Sequence, residues 1–166
     1  MTPRRLGLLT MVASFVADQA NKLWLIFVYG IEARQPLQIT SFFDIVFAKN
    51  RGISYSLFPA QTAGQRVSLL FFICAATGLL AMWLWRAKTK TAGCGLGFIV
   101  GGALGNFYDR LAYGFVADFY YFHLGSFSWY VFNIADVSIV LGAVLLIYDS
   151  LMQGKKPFGS GQTAGE

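Results

Sequence analysis

The chain has 166 residues, 56% of them hydrophobic and only 13% charged, with 13 Lys and Arg against 8 Asp and Glu. Soluble domains carry about 25% charged residues, so these proportions exclude a disordered chain and argue against an ordinary water-soluble domain. Two cysteines and 18 glycines without a period of three exclude a disulfide scaffold and a collagen-like fibre.

The net charge of +5 does not mark a nucleic-acid binder. The basic residues form no stripe interleaved with aromatics. They sit where apolar segments end, at Arg4 and Arg5, at Arg86, Lys88 and Lys90, and at Lys155 and Lys156. Loops that meet an anionic cytoplasmic leaflet have this distribution.

Four apolar segments follow in chain order. The first covers about 6–29 and is broken by Asp18 and Lys22. Arg4-Arg5 followed by 6–17 also looks like the start of a cleaved signal peptide. Apolar character resumes at 23–29 with no clear cleavage site, so an uncleaved span is expected. The second segment, 67–85, has 19 residues without a charge. The third covers about 91–113 and the fourth about 131–152. Each approaches the roughly 20 residues that cross a bilayer core, and in lipid each must be helical.

The expected fold is therefore an all-α polytopic membrane protein with four transmembrane helices in one domain, 1–166. Four spans put both termini on one side. The termini and the 86–90 loop carry seven Lys and Arg, against five in the two remaining loops, which places both termini in the cytoplasm.

Between the first two spans, residues 36–48 read PLQITSFFDIVFA. β-Branched and aromatic residues in partial alternation predict one or two short strands there. This small extracytoplasmic β-cap, about 36–58, would lie against the membrane surface. Residues 115–130 are rich in Phe, Tyr and Trp, which suits the lipid–water interface. That stretch, Phe115 to Tyr130, is a candidate clamp over a bound peptide. The last dozen residues, from about 154, read as a frayed tail.

His123 is the only histidine, so a histidine-based triad or a multi-histidine metal site has no second member. Cys74 and Cys94 lack metal-ligand spacing and read as packing residues. No metal or cofactor is implied. In the third segment Gly93, Gly97, Gly101 and Gly105 recur every four residues. They form a smooth stripe for close helix packing. No strand precedes them and no Lys-Ser/Thr follows, so they are not a phosphate loop.

Ionisable groups inside spans are costly, and each is a functional-site candidate. Asp18 and Lys22 lie one helical turn apart and share a face, as a structural ion pair or as part of a site. Asn106, Asp109 and Arg110 end the third segment and are placed to hold a polar network. Asp118 lies just beyond that end, and Asp136 a turn inside the fourth segment, with 17 residues between them. That excursion leaves the membrane and returns, so both carboxylates can meet at one depth. Carboxylates about 3 Å apart share one proton, one acting as acid and the other as base. Such a pair suffices for amide hydrolysis by an activated water. By position alone, Asp136 also fits a proton relay or a structural role, and Asp118 an interfacial acid.

Five blocks, in order, resemble the bacterial lipoprotein signal peptidases (signal peptidase II). They are Asp18-Gln-x-x-Lys22; Asn50-x-Gly52 leading to Ser54-Tyr55; Gly101-Gly102-Ala103-x-Gly105-Asn106-x-x-Asp109-Arg110; Gly114-x-Val116-x-Asp118-Phe119; and Phe132-Asn133-x-Ala135-Asp136. The third and fifth are the most specific. Ile53 and Tyr55 depart from many members, which have a smaller residue and a Phe or Trp there.

The resemblance implies an intramembrane aspartyl endopeptidase of the bacterial inner membrane, with its site near the outer face. It implies four helices, a β-cradle and a short interfacial helix. Its substrate would be a diacylglyceryl prolipoprotein, cut just before the lipidated cysteine. Asp118 and Asp136 match the catalytic pair. Asn50, Asn106, Arg110 and Asn133 match the polar residues that line the site, and Asp18 and Lys22 the pair that supports it. Gly102, Asp109 and Ala135 fall in the same blocks. Partners beyond substrate and membrane lipid are not implied, and a monomer is the default expectation. The alternatives are a small proton-coupled transporter using the same charges and a structural membrane subunit. The first would be expected to show internal repeats. The second does not explain the gathering of acids and amides at one end of the spans.

Overall fold

The computed structural model describes residues 1–52 and 62–154. Ile53, Ser54 and Tyr55 of the second block, the end of the expected β-cap and the tail from 155 lie outside the described residues.

The chain begins with α1 (Pro3–Leu23), capped by Thr2, whose hydroxyl accepts from the Arg5 N–H at 3.3 Å. It runs on as π-helical turns over Trp24–Tyr29, stops at Gly30 in the left-handed region (φ 70°), and makes a short helix α2 (Ile31–Arg34). Strands β1 (Leu37–Thr40) and β2 (Phe43–Asn50) follow. Helix α3 (Ala63–Trp85) opens on a reciprocal cap between Thr62 and Gln65. Helix α4 (Lys90–Tyr113) opens on Thr89, whose hydroxyl accepts from the Ala92 N–H at 3.0 Å. Strands β3 (Val116–Leu124) and β4 (Phe127–Ser128) then lead to α5 (Ile134–Gly154).

Helix α4 packs against α1, α5 and α3. The glycine stripe explains the first contact, and Gly95 and Gly102, beside it, explain the second. A Cβ at Gly97 would strike the Gly7 carbonyl, and one at Gly101 the Met11 carbonyl, both on α1. A Cβ at Gly95 would come within 2.9 Å of the Gly142 carbonyl on α5, and one at Gly102 would strike the Ala135 carbonyl. Helices approach this closely only where side chains are absent, and packing of this kind holds helices together in lipid.

Two helices among the described residues are long and apolar enough to cross a membrane, Ala63–Trp85 and Ile134–Gln153. Their most apolar windows are only 17% and 22% buried within the protein. Most of that hydrocarbon faces outward, unlike the core helix of a soluble domain. Helices α1 and α4 fall short of the same measure for a physical reason. Helix α1 carries Arg4, Arg5, Asp18 and Lys22, and α4 spends its inner faces on glycine.

The strands form one antiparallel sheet in the order β1-β2-β3-β4. The fold is thus mostly helical with a four-stranded sheet, rather than all-α. Residues expected to form an aromatic interfacial loop, 115–130, instead supply half of that sheet. Asn50 pairs with Val116 and Ala48 with Asp118 in the register of β2 and β3. Beneath the sheet, Leu25, Ile31, Ala117 and Phe119 form a buried cluster that fixes it to the end of α1. Phe119 is wholly buried, and neighbouring rings stack on one another, as Phe47 does on Phe119 at 5.6 Å. Phe119 and the rings stacked on it build the sheet, while Phe122, Phe127 and Trp129 stay exposed. Of that stretch's aromatics, Tyr130 borders the site cavity described next.

Candidate active site

Asp118 sits on β3, where Ala117 and Phe119 on either side are buried and hold the strand in place. Asp136 sits in the first turn of α5, one turn from Asn133. The helix begins at Ile134, three residues later than the apolar run suggests. The reason is a reciprocal cap. The Asn133 Oδ1 accepts from the Asp136 N–H at 3.0 Å, and the Asp136 Oδ2 accepts from the Asn133 N–H at 3.2 Å. Such pairs fix a helix start by satisfying its free N–H groups.

The two carboxylates border one cavity of about 360 Å³, together with Asn50, Asn106 and Arg110. Its remaining wall is mostly apolar, and α3 supplies the largest share of it, including Phe72, Ile73 and Leu80. Asn133 joins the two acids. Its side-chain N–H group donates to Asp118 Oδ1 at 2.6 Å and to Asn106 Oδ1 at 3.0 Å. Asn106 in turn donates to Asp136 Oδ1 at 2.8 Å. Asn50 donates to the other Asp118 oxygen at 3.0 Å.

Behind these amides lies a buried charge cluster. Lys22 pairs with Asp18 and with Asp109, each at 2.8 Å, and all three are at most 3% exposed. Lys22 also donates to Asn106 Oδ1 at 3.3 Å. Two donors therefore point at that oxygen, which turns the Asn106 N–H group toward Asp136. Asp18 accepts from the Ala135 N–H at 2.9 Å and Asp109 from the Ala117 N–H at 3.1 Å. One cluster thus grips the backbone immediately before each catalytic candidate. Arg110 anchors the remaining side. It donates to the Gly52 carbonyl at 2.9 Å, and the Gly52 N–H donates to Asn50 Oδ1 at 3.1 Å, which leaves the Asn50 N–H group facing Asp118.

Every site residue expected from sequence falls in this assembly. Gly102 and Ala135 are where α4 and α5 touch. Gln19 belongs to the first block, which by itself implies no role for it. Its amide donates to Asp18 and to Asp109, both at 3.1 Å. The signal was available in the spacing, since a polar side chain next to a buried ion pair needs a partner of its own.

Burial raises the Asp118 pKa from 3.8 to about 7, and the charge of Asp136 adds to the rise, against the lowering effect of the two asparagine donors. A carboxyl that keeps its proton near neutrality beside a second carboxylate can supply both an acid and a base.

Two solved structures share this architecture. Each is a bacterial membrane enzyme crystallised by the in meso method. One, at 2.3 Å resolution, superposes with a TM-score of 0.73 over 94% of both chains at 22% identity. The other, at 1.9 Å, gives 0.72 over 87% of this chain and 92% of that one at 23% identity. This chain shares their fold.

Sequence comparison is more specific. The profile of the signal peptidase (SPase) II family matches residues 10–152. The lipoprotein signal peptidase of Methylocella silvestris is 59% identical over the whole of this chain and 97% of its own. That of Beijerinckia indica is 57% identical over 90% of both chains, and that of Rhodopseudomonas palustris strain TIE-1 is 50% identical over 92% of this chain and 95% of its own. The chain belongs to the signal peptidase II family of aspartic peptidases. Membership sets aside the transporter and structural-subunit readings.

Proposed function

We propose that Asp118 and Asp136 are the catalytic pair with which this peptidase removes signal peptides from prolipoproteins. The observation that carries the assignment is the single cavity bordered by both carboxylates, tied together through Asn133 and Asn106. Asp118, with its raised pKa, holds the shared proton. Asp136 takes a proton from a bound water as that water attacks the scissile carbonyl. Asp118 donates its proton to the carbonyl oxygen. When the tetrahedral intermediate collapses, Asp136 gives its proton to the departing amine and Asp118 recovers one from the hydroxyl. Both side chains then stand as they began. Asn50, Asn106 and Asn133 hold the two carboxyls in register, and Asp18, Lys22 and Asp109 hold the backbone beneath them. Arg110 keeps the loop at Gly52 closed onto the site.

The substrate is a prolipoprotein whose cysteine already carries a diacylglyceryl group, cleaved just before that cysteine. The apolar α3 wall of the cavity supports this reading, because acyl chains need a lipid-like path to a polar reaction centre. The chain acts as one domain with four helices across the inner membrane. Both termini are cytoplasmic and the site lies near the outer face, as the distribution of Lys and Arg favours.

Purified protein in lipid is expected to cleave a diacylglyceryl prolipoprotein without added metal or ATP. Asp118→Asn and Asp136→Asn each abolish cleavage in protein that remains folded. Full activity in either variant refutes the assignment. Equal cleavage of the unlipidated precursor refutes the substrate reading.

A further inference from the structure

A second cavity, of about 520 Å³, lies between the last turn of α3, the start of α4 and the last turns of α5. Its volume is in the range of small-ligand sites. Lys90 and Asn106 are sixteen residues apart on α4, roughly 24 Å at the helical rise, so this cavity is at the opposite end of the bundle from Asp118 and Asp136.

Its lining carries charges of both signs. Asp149 is 9% exposed. It accepts from the Thr89 hydroxyl at 2.6 Å and, through its other oxygen, from the Gln153 amide. Among the described residues no Lys or Arg pairs with it. A carboxylate so far out of water is costly without a cation, and two neutral donors leave lone pairs unfilled. Arg86 and Lys88 line the same cavity, are exposed, and form no ion pair with Asp149. Trp83 and Leu146 supply apolar lining where α3 and α5 turn their hydrocarbon outward.

A buried anion, two exposed cations and an apolar exit match one kind of membrane molecule. We propose that this cavity binds a phospholipid with a primary-ammonium headgroup. The ammonium donates to Asp149, the phosphodiester lies between Arg86 and Lys88, and the acyl chains leave beside Trp83 and Leu146. An anionic lipid would satisfy the two cations but set its charge against Asp149. A trimethylated headgroup has the charge and lacks the N–H donors that a carboxylate accepts.

The test is native mass spectrometry of the full-length enzyme released from detergent, titrated in turn with dioleoyl phosphatidylethanolamine, phosphatidylcholine, phosphatidylglycerol and water-soluble glycerophosphoethanolamine. The ethanolamine lipid is expected to bind about tenfold more tightly than the choline lipid, the effect of one charge-assisted hydrogen bond. Asp149→Asn removes that preference. Arg86→Gln with Lys88→Gln, at exposed positions that leave the fold intact, weakens both zwitterionic lipids. Prolipoprotein cleavage is retained in these variants, which separates this site from the catalytic one. Equal binding of the choline lipid, tighter binding of the glycerol lipid, an unchanged preference in the Asp149 variant, or unchanged affinity for both zwitterionic lipids in the Arg86/Lys88 variant overturns the proposal. Equal binding of the soluble headgroup overturns its assignment to a lipid.

Discussion

The Asn133 amide lies 2.6 Å from Asp118 Oδ1, while its own side-chain oxygen caps the backbone N–H of Asp136. One side chain thus sets both the approach of β3 to α5 and the direction of the Asp118 carboxyl. Asn133→Ala is expected to lower kcat by about a hundredfold, the cost of misplacing reacting groups by about 1 Å, with a much smaller change in KM. Steady-state cleavage of a lipidated precursor over a range of concentrations gives both constants. A rise in KM at unchanged kcat would show that Asn133 serves substrate binding alone.

The raised pKa of Asp118 has two consequences for pH. The native protein holds this proton up to about pH 7, whereas an unfolded aspartate releases it near 3.8. The stabilisation from that proton is complete below pH 3.8 and is lost as the pH rises toward 7. Thermal unfolding in detergent should therefore show a fall in Tm across this interval, and Asp118→Asn should flatten it. Turnover should decline above about pH 7 as the proton leaves, and at low pH as the pair gains a second proton. Turnover that keeps rising past pH 8, with chemistry rate-limiting, would exclude a shared proton.

Lys22 is nearly buried between Asp18 and Asp109. Lys22→Met leaves two facing carboxylates without a cation. Breaking a buried pair from one side costs about 3–5 kcal/mol, so the variant should unfold at a markedly lower temperature. It should also lose activity, because one of the two donors that orient Asn106 is gone. Adding Asp18→Asn to Lys22→Met removes one of the stranded charges and should recover part of the Tm without recovering cleavage. Recovery of both together would reduce the cluster to a purely structural role.

The apolar runs made the helices legible, because hydrocarbon that must face lipid cannot be interrupted. The site was legible because buried acids and amides have few other reasons to recur at helix ends. Two features were not readable from residue type. The stretch 115–130 reads equally as an interfacial loop or a strand, because Phe, Tyr and Trp suit both a membrane surface and a strand; only pairing with β2 separates the two. The apolar run begins three residues ahead of α5 because Val131 and Phe132 are as apolar as the helix. Phe132 instead bridges to Tyr120 and leaves Asn133 to cap. The Lys22 cluster was visible only as an ion pair one turn apart. Asp109 is 87 residues beyond Lys22 and comes to it through the packing of α1 on α4.

That packing is itself testable at Gly102. A Cβ there would collide with the Ala135 carbonyl and come within 3.0 Å of Ile139 Cγ1. The first is backbone in the opening turn of α5, so it yields only if the helix moves and carries Asp136 with it. Gly102→Ala is therefore expected to lower both Tm and kcat, the latter by about tenfold to a hundredfold. Gly78, on α3, has open space around its missing side chain. Gly78→Ala should leave cleavage unchanged and raise Tm slightly, since alanine favours a helix over glycine by about 1 kcal/mol. If the two substitutions behaved alike, close approach of α4 to α5 would not be what positions Asp136.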